Sequence, residues 1–120
     1  MTANPSYFDL LANHSTHASS ITLEYQDLPK NRRVSGNSKV GQAVLIRIGE
    51  LEIGIWEITP GISTDIESDE FFVVIDGEGT VTFSDGSPDL ILHPGTIARL
   101  KAGSATTWTV KRAIRKIYFA

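Results

Sequence analysis

The sequence predicts a single all-β domain closed into a small barrel, and three observations carry that prediction. Short apolar runs recur along the chain, among them AVLIRI, LEIGIWEI, EFFVVI, TVTF, DLIL, TIARL, TTWTV and IRKIYFA. Gly or Pro turns punctuate them every few residues, at Gly49, Pro60-Gly61, Gly77, Asp85-Gly86, Pro94-Gly95 and Gly103. Nowhere does a long run carry the 3.6-residue apolar period of an amphipathic helix. Closely spaced runs with such turns are the pattern of a β-sandwich or barrel, and 120 residues suit one compact domain.

In chain order, residues 1–42 read as an irregular N-terminal arm with a first edge strand, and residues 43–120 as the barrel. Pro5-Ser6 followed by YFDLLA predicts a turn or two of helix with Pro near its start. His14 and His17 lie in a polar, small-residue stretch and are expected to be solvated. ITLEY (Ile21–Tyr25) alternates apolar and polar residues and predicts a short edge strand. Asp27–Gln42, with Pro29 and the KNRR cluster, predicts loop.

From Ala43 two strands are expected to meet at Gly49-Glu50. The second ends in Trp56-Glu57 and breaks at Pro60-Gly61. A short acidic loop then leads to EFFVVI, a turn at Asp76–Gly79, and TVTF. Asp85-Gly86 is a strong hairpin signal, because such turns need positive φ. The remaining strands follow, with separate strands expected for TTWTV and IRKIYFA. Within EFFVVI, Phe72 and Val74 point to one side and Phe71, Val73 and Ile75 to the other. Both faces are apolar, so the outer one needs a cover, and a homodimer is the economical expectation.

Composition excludes several functions. A formal charge of −3 with 21% charged residues leaves no electrostatic footprint for nucleic acid or an anionic membrane. With no cysteine, the chain has no disulfide, thiolate metal site or thiol nucleophile. No Gly-x-Ser-x-Gly turn suggests a serine nucleophile. The first twenty residues lack the basic start and apolar core of a secretory leader, and no run is long enough to span a membrane, so a cytoplasmic protein is expected.

The residue that asks for a chemical explanation is Glu70, a carboxylate opening a strand that otherwise reads as buried. An unpaired buried charge is costly, so it needs a partner, and Arg115 or Lys116 are candidates. By strand parity Thr106, Trp108 and Val110 share one face, and Lys116 and Tyr118 another. The proposed pocket residues are therefore Glu70 as an acid/base group, Trp56 and Trp108 as aromatic walls, and Thr106 and Tyr118 as hydroxyls. A carboxyl held among apolar groups suits proton transfer near neutrality.

The segments GIWEITPG (Gly54–Gly61), DEFFVVIDGEGTVTFSDG (Asp69–Gly86), HPGTIARLKAG (His93–Gly103) and TTWTVKRAIRKIY (Thr106–Tyr118) together resemble the cupin superfamily. More narrowly, they resemble the small single-barrel cupins of the (S)-ureidoglycine aminohydrolase type. The resemblance implies a double-stranded β-helix, or jelly-roll barrel. It also implies, in metal-binding members, a divalent transition metal held by three His and one Glu. Glu70 sits at the family glutamate. The family His-x-His falls on Thr64 and Ile66, or on Ser63 and Asp65, and the third His falls on Thr106. With all three imidazoles missing, no metal ligand is assigned and no cofactor is expected. The reading favoured is a metal-free cupin that binds a small polar metabolite, with Glu70 as its acid/base. Two alternatives stand beside it: a metal-dependent ureidoglycine aminohydrolase-like enzyme, and a structural or regulatory homodimer without catalysis.

Overall fold

The computed structural model describes residues 3–120, and within them the chain is an all-β jelly-roll barrel. Its ten strands are β1 (Ser6–Tyr7), β2 (Gln26–Asp27), β3 (Arg33–Ser35), β4 (Lys39–Ile48), β5 (Leu51–Ile58), β6 (Gly61–Ile66), β7 (Glu70–Phe83), β8 (Leu90–Leu92), β9 (Ile97–Leu100) and β10 (Ala105–Phe119). Among the described residues no helix is long and apolar enough to cross a membrane.

Two long strands define the barrel. The C-terminal part of β10 pairs with β5 and with the N-terminal part of β7, while its N-terminal part pairs with β6 and the C-terminal part of β7. Each long strand thus serves both walls, and both bend at the same level. The β7–β10 register shifts between Val110 and Lys116, and Gly77 opposite has φ +101°. A Cβ at Gly77 would overlap the Ala113 carbonyl and lie 2.5 Å from Ile114 Cα. Asp76–Gly79 is therefore a corner inside one continuous strand, where a chain-reversing turn was expected, and TTWTV and IRKIYFA are likewise halves of one bulged strand.

Other expectations also change. Part of the stretch before Glu70 is strand β6, with Ser63 and Asp65 buried against β10 while Thr64 is half-buried and Ile66 exposed, and residues 67–69 form the expected acidic loop. ITLEY forms no strand. Ile21 and Leu23 instead pack on the outer face of the first wall, in a cluster with Ala43, Leu45 and Ile55. YFDLLA is not helical: Ser6–Tyr7 pairs parallel to β4, and Phe8 and Leu10 continue with N–H donations to the Val44 and Leu45 carbonyls. Asp27–Gln42 contains β3 and the start of β4.

Arg115, on the outer face, clamps this covering segment. Its Nε donates to Glu57 Oε1 at 2.8 Å, and its Nη1 donates to the carbonyls of Ala18 (3.0 Å) and Ile21 (2.8 Å). The Tyr25 hydroxyl donates to the other Glu57 oxygen. Arg115 therefore partners Glu57 and leaves Glu70 to Lys116. The inner core between the walls gathers Trp56, Ile58, Phe72, Val74, Val81, Leu92, Leu100, Trp108, Ile114 and Tyr118.

Candidate functional site

Strand register decides which polar side chains meet inside the barrel. Lys116 pairs across with Trp56 on β5 and Val74 on β7, and Gln42 on β4 lies beside Trp56. One row on, Tyr118 pairs with Gly54 and Phe72. Side chains two apart on each strand share the inner face, so Lys116 and Tyr118 point inward together with Trp56 and Phe72. Gly54 is required here, since a Cβ would stand 2.5 Å from the Tyr118 hydroxyl.

At the centre is an ion pair. Lys116 Nζ donates to Glu70 Oε2 at 2.6 Å, with side-chain exposures of 4% and 19%. The ammonium also lies 4.3 Å from the ring centres of Trp56 and Phe72 and 5.1 Å from that of Trp108. Attraction to aromatic faces is strengthened where water is excluded. The apolar surroundings expected for Glu70 are thus replaced by a direct cationic partner, and the Arg-Lys pair at 115–116 is buried on both faces.

A second carboxylate, Glu67, lies just past β6. Its Oε2 accepts the Thr106 hydroxyl at 2.6 Å and the Trp108 Nε1–H at 2.9 Å. Charge-assisted bonds of this length hold a carboxylate firmly. Tyr118 forms a third group: its hydroxyl donates to Glu52 Oε2 and accepts from Gln42 Nε2, both at 2.8 Å. Arg47 donates to the other Glu52 oxygen at 2.6 Å. Burial, reinforced by the Glu52 carboxylate that it donates to, holds the Tyr118 proton well above the ordinary phenol range. The hydroxyl therefore stays a donor throughout the neutral range.

These groups surround a cavity of about 170 Å³ whose wall includes Gln42, Glu52, Trp56, Glu67, Glu70 and Tyr118. Of the sequence candidates, Trp56, Glu70 and Tyr118 line it. Thr106 and Trp108 are buried in the interior without forming part of the cavity wall, and both hold Glu67. Sequence reasoning missed Glu67, Gln42 and Glu52. Parity held a signal for Glu67, because Ser63, Asp65 and position 67 alternate inward. A larger, more open groove of about 350 Å³ lies between Phe83–Asp85 and Lys101–Ala105 and involves none of the candidates. His14, His17 and His93 are exposed.

The donor set does not fit a transition metal. At the positions matching the metal ligands stand Ser63, Asp65, Thr106 and Glu70, with no imidazole, and an ammonium already rests on Glu70. Borderline metals favour imidazole ligands at such sites. Among the described residues no group of three or more His, Cys, Asp or Glu is placed to hold a metal.

The sequence model of the EutQ-like cupin domain matches residues 47–118. No curated protein matches the chain. Among solved structures, the EutQ protein of Clostridium difficile is 21% identical, with a TM-score of 0.64 over 88% of this chain and 83% of that one. A protein named for ethanolamine utilization, from Salmonella typhimurium LT2, is 17% identical, with a TM-score of 0.57 over 84% of this chain and 96% of that one. A protein of unknown function from Pseudomonas syringae pv. tomato DC3000 is 21% identical, with a TM-score of 0.71 over 83% of this chain and 44% of that longer one. At these identities the likeness speaks for the fold.

Proposed function

The chain belongs to the EutQ-like cupin domain family, and on that footing we propose that it binds a small polar metabolite at the barrel mouth without a divalent metal. The observation that carries this reading is the cavity itself, where hydrogen-bonding groups from β4, β5, β7 and β10 converge beside an aromatic wall. Such a combination is what ligand sites share. At about 170 Å³ the space suits a ligand of roughly six heavy atoms. Trp56 supplies the wall, and Tyr118, whose one proton goes to Glu52, holds that carboxylate as a fixed acceptor. Glu70 is the acid/base, in direct contact with Lys116. Thr106 and Trp108 act through Glu67 as positioning residues.

A thermal-shift screen against small polyols, amines and hydroxy acids tests this reading. A ligand at a hundred times its Kd should stabilise the fold by about 2.7 kcal/mol. Glu70→Gln should weaken binding of the hit by about tenfold or more, as loss of a charged hydrogen-bond acceptor predicts. Equal affinity in that variant would remove Glu70 from the site. The metal-dependent aminohydrolase alternative needs nitrogen ligands that Ser63, Asp65 and Thr106 do not supply, and stoichiometric manganese, iron, nickel or zinc in purified protein would reopen it.

The outer face favours a second element of the reading, a homodimer. Phe71 is 43% and Ile97 65% exposed, and Phe71 stacks edge-on with Phe119 at 5.6 Å. Val73 pairs with Ile97 and Ile53 with Phe119, so these residues extend one apolar surface. A two-fold pair would lay this surface on its own copy. Light scattering should report a dimer, and Phe71→Glu should shift it to monomer. A wild-type monomer at working concentration would end the dimer proposal.

A further inference from the structure

Lys116 is a buried primary amine that the binding reading uses only as a partner for Glu70. It is unlike the other lysines, since Lys30, Lys39, Lys101 and Lys111 are all exposed. Its Nζ contacts Glu70 Oε2 at 2.6 Å and the faces of Trp56 and Phe72 at 4.3 Å. Glu70 and Trp56 are also cavity wall, so two of the three side chains nearest the amine border both it and the cavity. A buried ion pair is weak support for stability alone, because apolar replacements of the same shape serve as well or better. An amine screened from water, with a carboxylate in contact and a small cavity one side chain away, has instead the parts of a covalent site.

We propose that Lys116 is a nucleophile that forms an imine with a small neutral aldehyde or ketone bearing a hydroxyl group, with Glu70 carrying the proton. The proposal rests on the metabolite-binding reading and names its substrate class. The Lys116 ammonium gives one proton to Glu70 across the existing contact, which frees the nitrogen lone pair. The amine adds to the carbonyl carbon, and a proton moves from nitrogen to oxygen to give the carbinolamine. Glu70 returns its proton to that hydroxyl, the C–O bond breaks, and water leaves. The product is the protonated imine, with Glu70 again a carboxylate. One carbonyl compound and one ammonium give one iminium and one water, so atoms and charge balance. The Trp56, Phe72 and Trp108 rings limit the water that would reverse the last step. The cavity sets the substrate: at about 170 Å³ it is close in size to an engineered cavity that holds benzene, so it admits roughly six heavy atoms. The Glu52 carboxylate and Tyr118 hydroxyl at its wall suit a hydroxyl group.

Reductive trapping tests this on the intact protein. Wild-type protein is incubated with glycolaldehyde or hydroxyacetone and cyanoborohydride, and each lysine is followed by peptide mass spectrometry. Solvent exposure alone predicts that Lys30, Lys101 and Lys111 react first and Lys116 last. The proposal predicts the reverse, with Lys116 marked about tenfold faster or more than the exposed lysines. Glu70→Gln, shown folded by circular dichroism, should slow that mark by about tenfold or more. A mark confined to the exposed lysines overturns the proposal, and equal rates in Glu70→Gln overturn the role of Glu70 in it. A metabolite with a Glu70-dependent thermal shift but no mark on Lys116 ends the imine and leaves the binding reading standing. Absence of both signals ends both.

Discussion

Replacing Lys116 by Met should destabilise the protein by about 3–5 kcal/mol, the range for removing one member of a buried ion pair. The substitution keeps an unbranched side chain of similar length within the aromatic cage, so little packing is lost. What is lost is the cation 2.6 Å from Glu70, which leaves that carboxylate unpaired beside Trp56 and Phe72. Single domains of this size have about 5–15 kcal/mol in total, so the urea midpoint, read by tryptophan fluorescence, should fall severely. The double variant Lys116→Met, Glu70→Gln should recover a large part of the loss, because no charge then remains to be paired. A single-variant loss below about 1 kcal/mol, the range of solvated surface pairs, would show that water reaches the pair and would undo the enclosed-site description.

Gly77→Ala should cost about 3 kcal/mol or more, for two reasons that a control can separate. Its φ of +101° is strained for any residue with a Cβ, at about 1–3 kcal/mol. The new methyl would also overlap the Ala113 carbonyl and crowd Ile114 Cα at 2.5 Å, where β7 and β10 turn the barrel corner together. Gly86, at φ +83°, has nothing within 4 Å of its would-be Cβ, so Gly86→Ala carries the backbone strain alone. The Gly77 variant should therefore lose clearly more than the Gly86 variant in paired denaturation curves. Equal losses would mean that the corner yields and that close approach is not what requires glycine there.

The two substitutions probe different things. Gly77 was visible in the sequence only as a turn residue, because Gly at a strand end and Gly at a strand corner look the same in one dimension. The difference lies in Ala113, thirty-six positions away, which meets Gly77 only when β10 pairs beside it. The acidic stretch before Glu70 was misread in part for a related reason. Glu67 and Asp69 do lie in loop, but alternation placed Ser63 and Asp65 inward on β6.

The chain by itself determined the all-β class, the strand parity of Phe72, Val74, Thr106, Trp108, Lys116 and Tyr118, the loss of the three imidazoles and the oddity of Glu70. Those are local properties: side-chain period, turn chemistry and residue type act over a few positions. The tertiary structure alone decided that Lys116, and not Arg115, answers Glu70. It also placed Glu67, Glu52 and Gln42 around the same cavity and left Thr106 and Trp108 out of its wall. Neighbouring residues 115 and 116 point to opposite faces of a strand, and which face is the interior follows from the closure of the barrel. That closure put an ammonium against the Glu70 carboxylate.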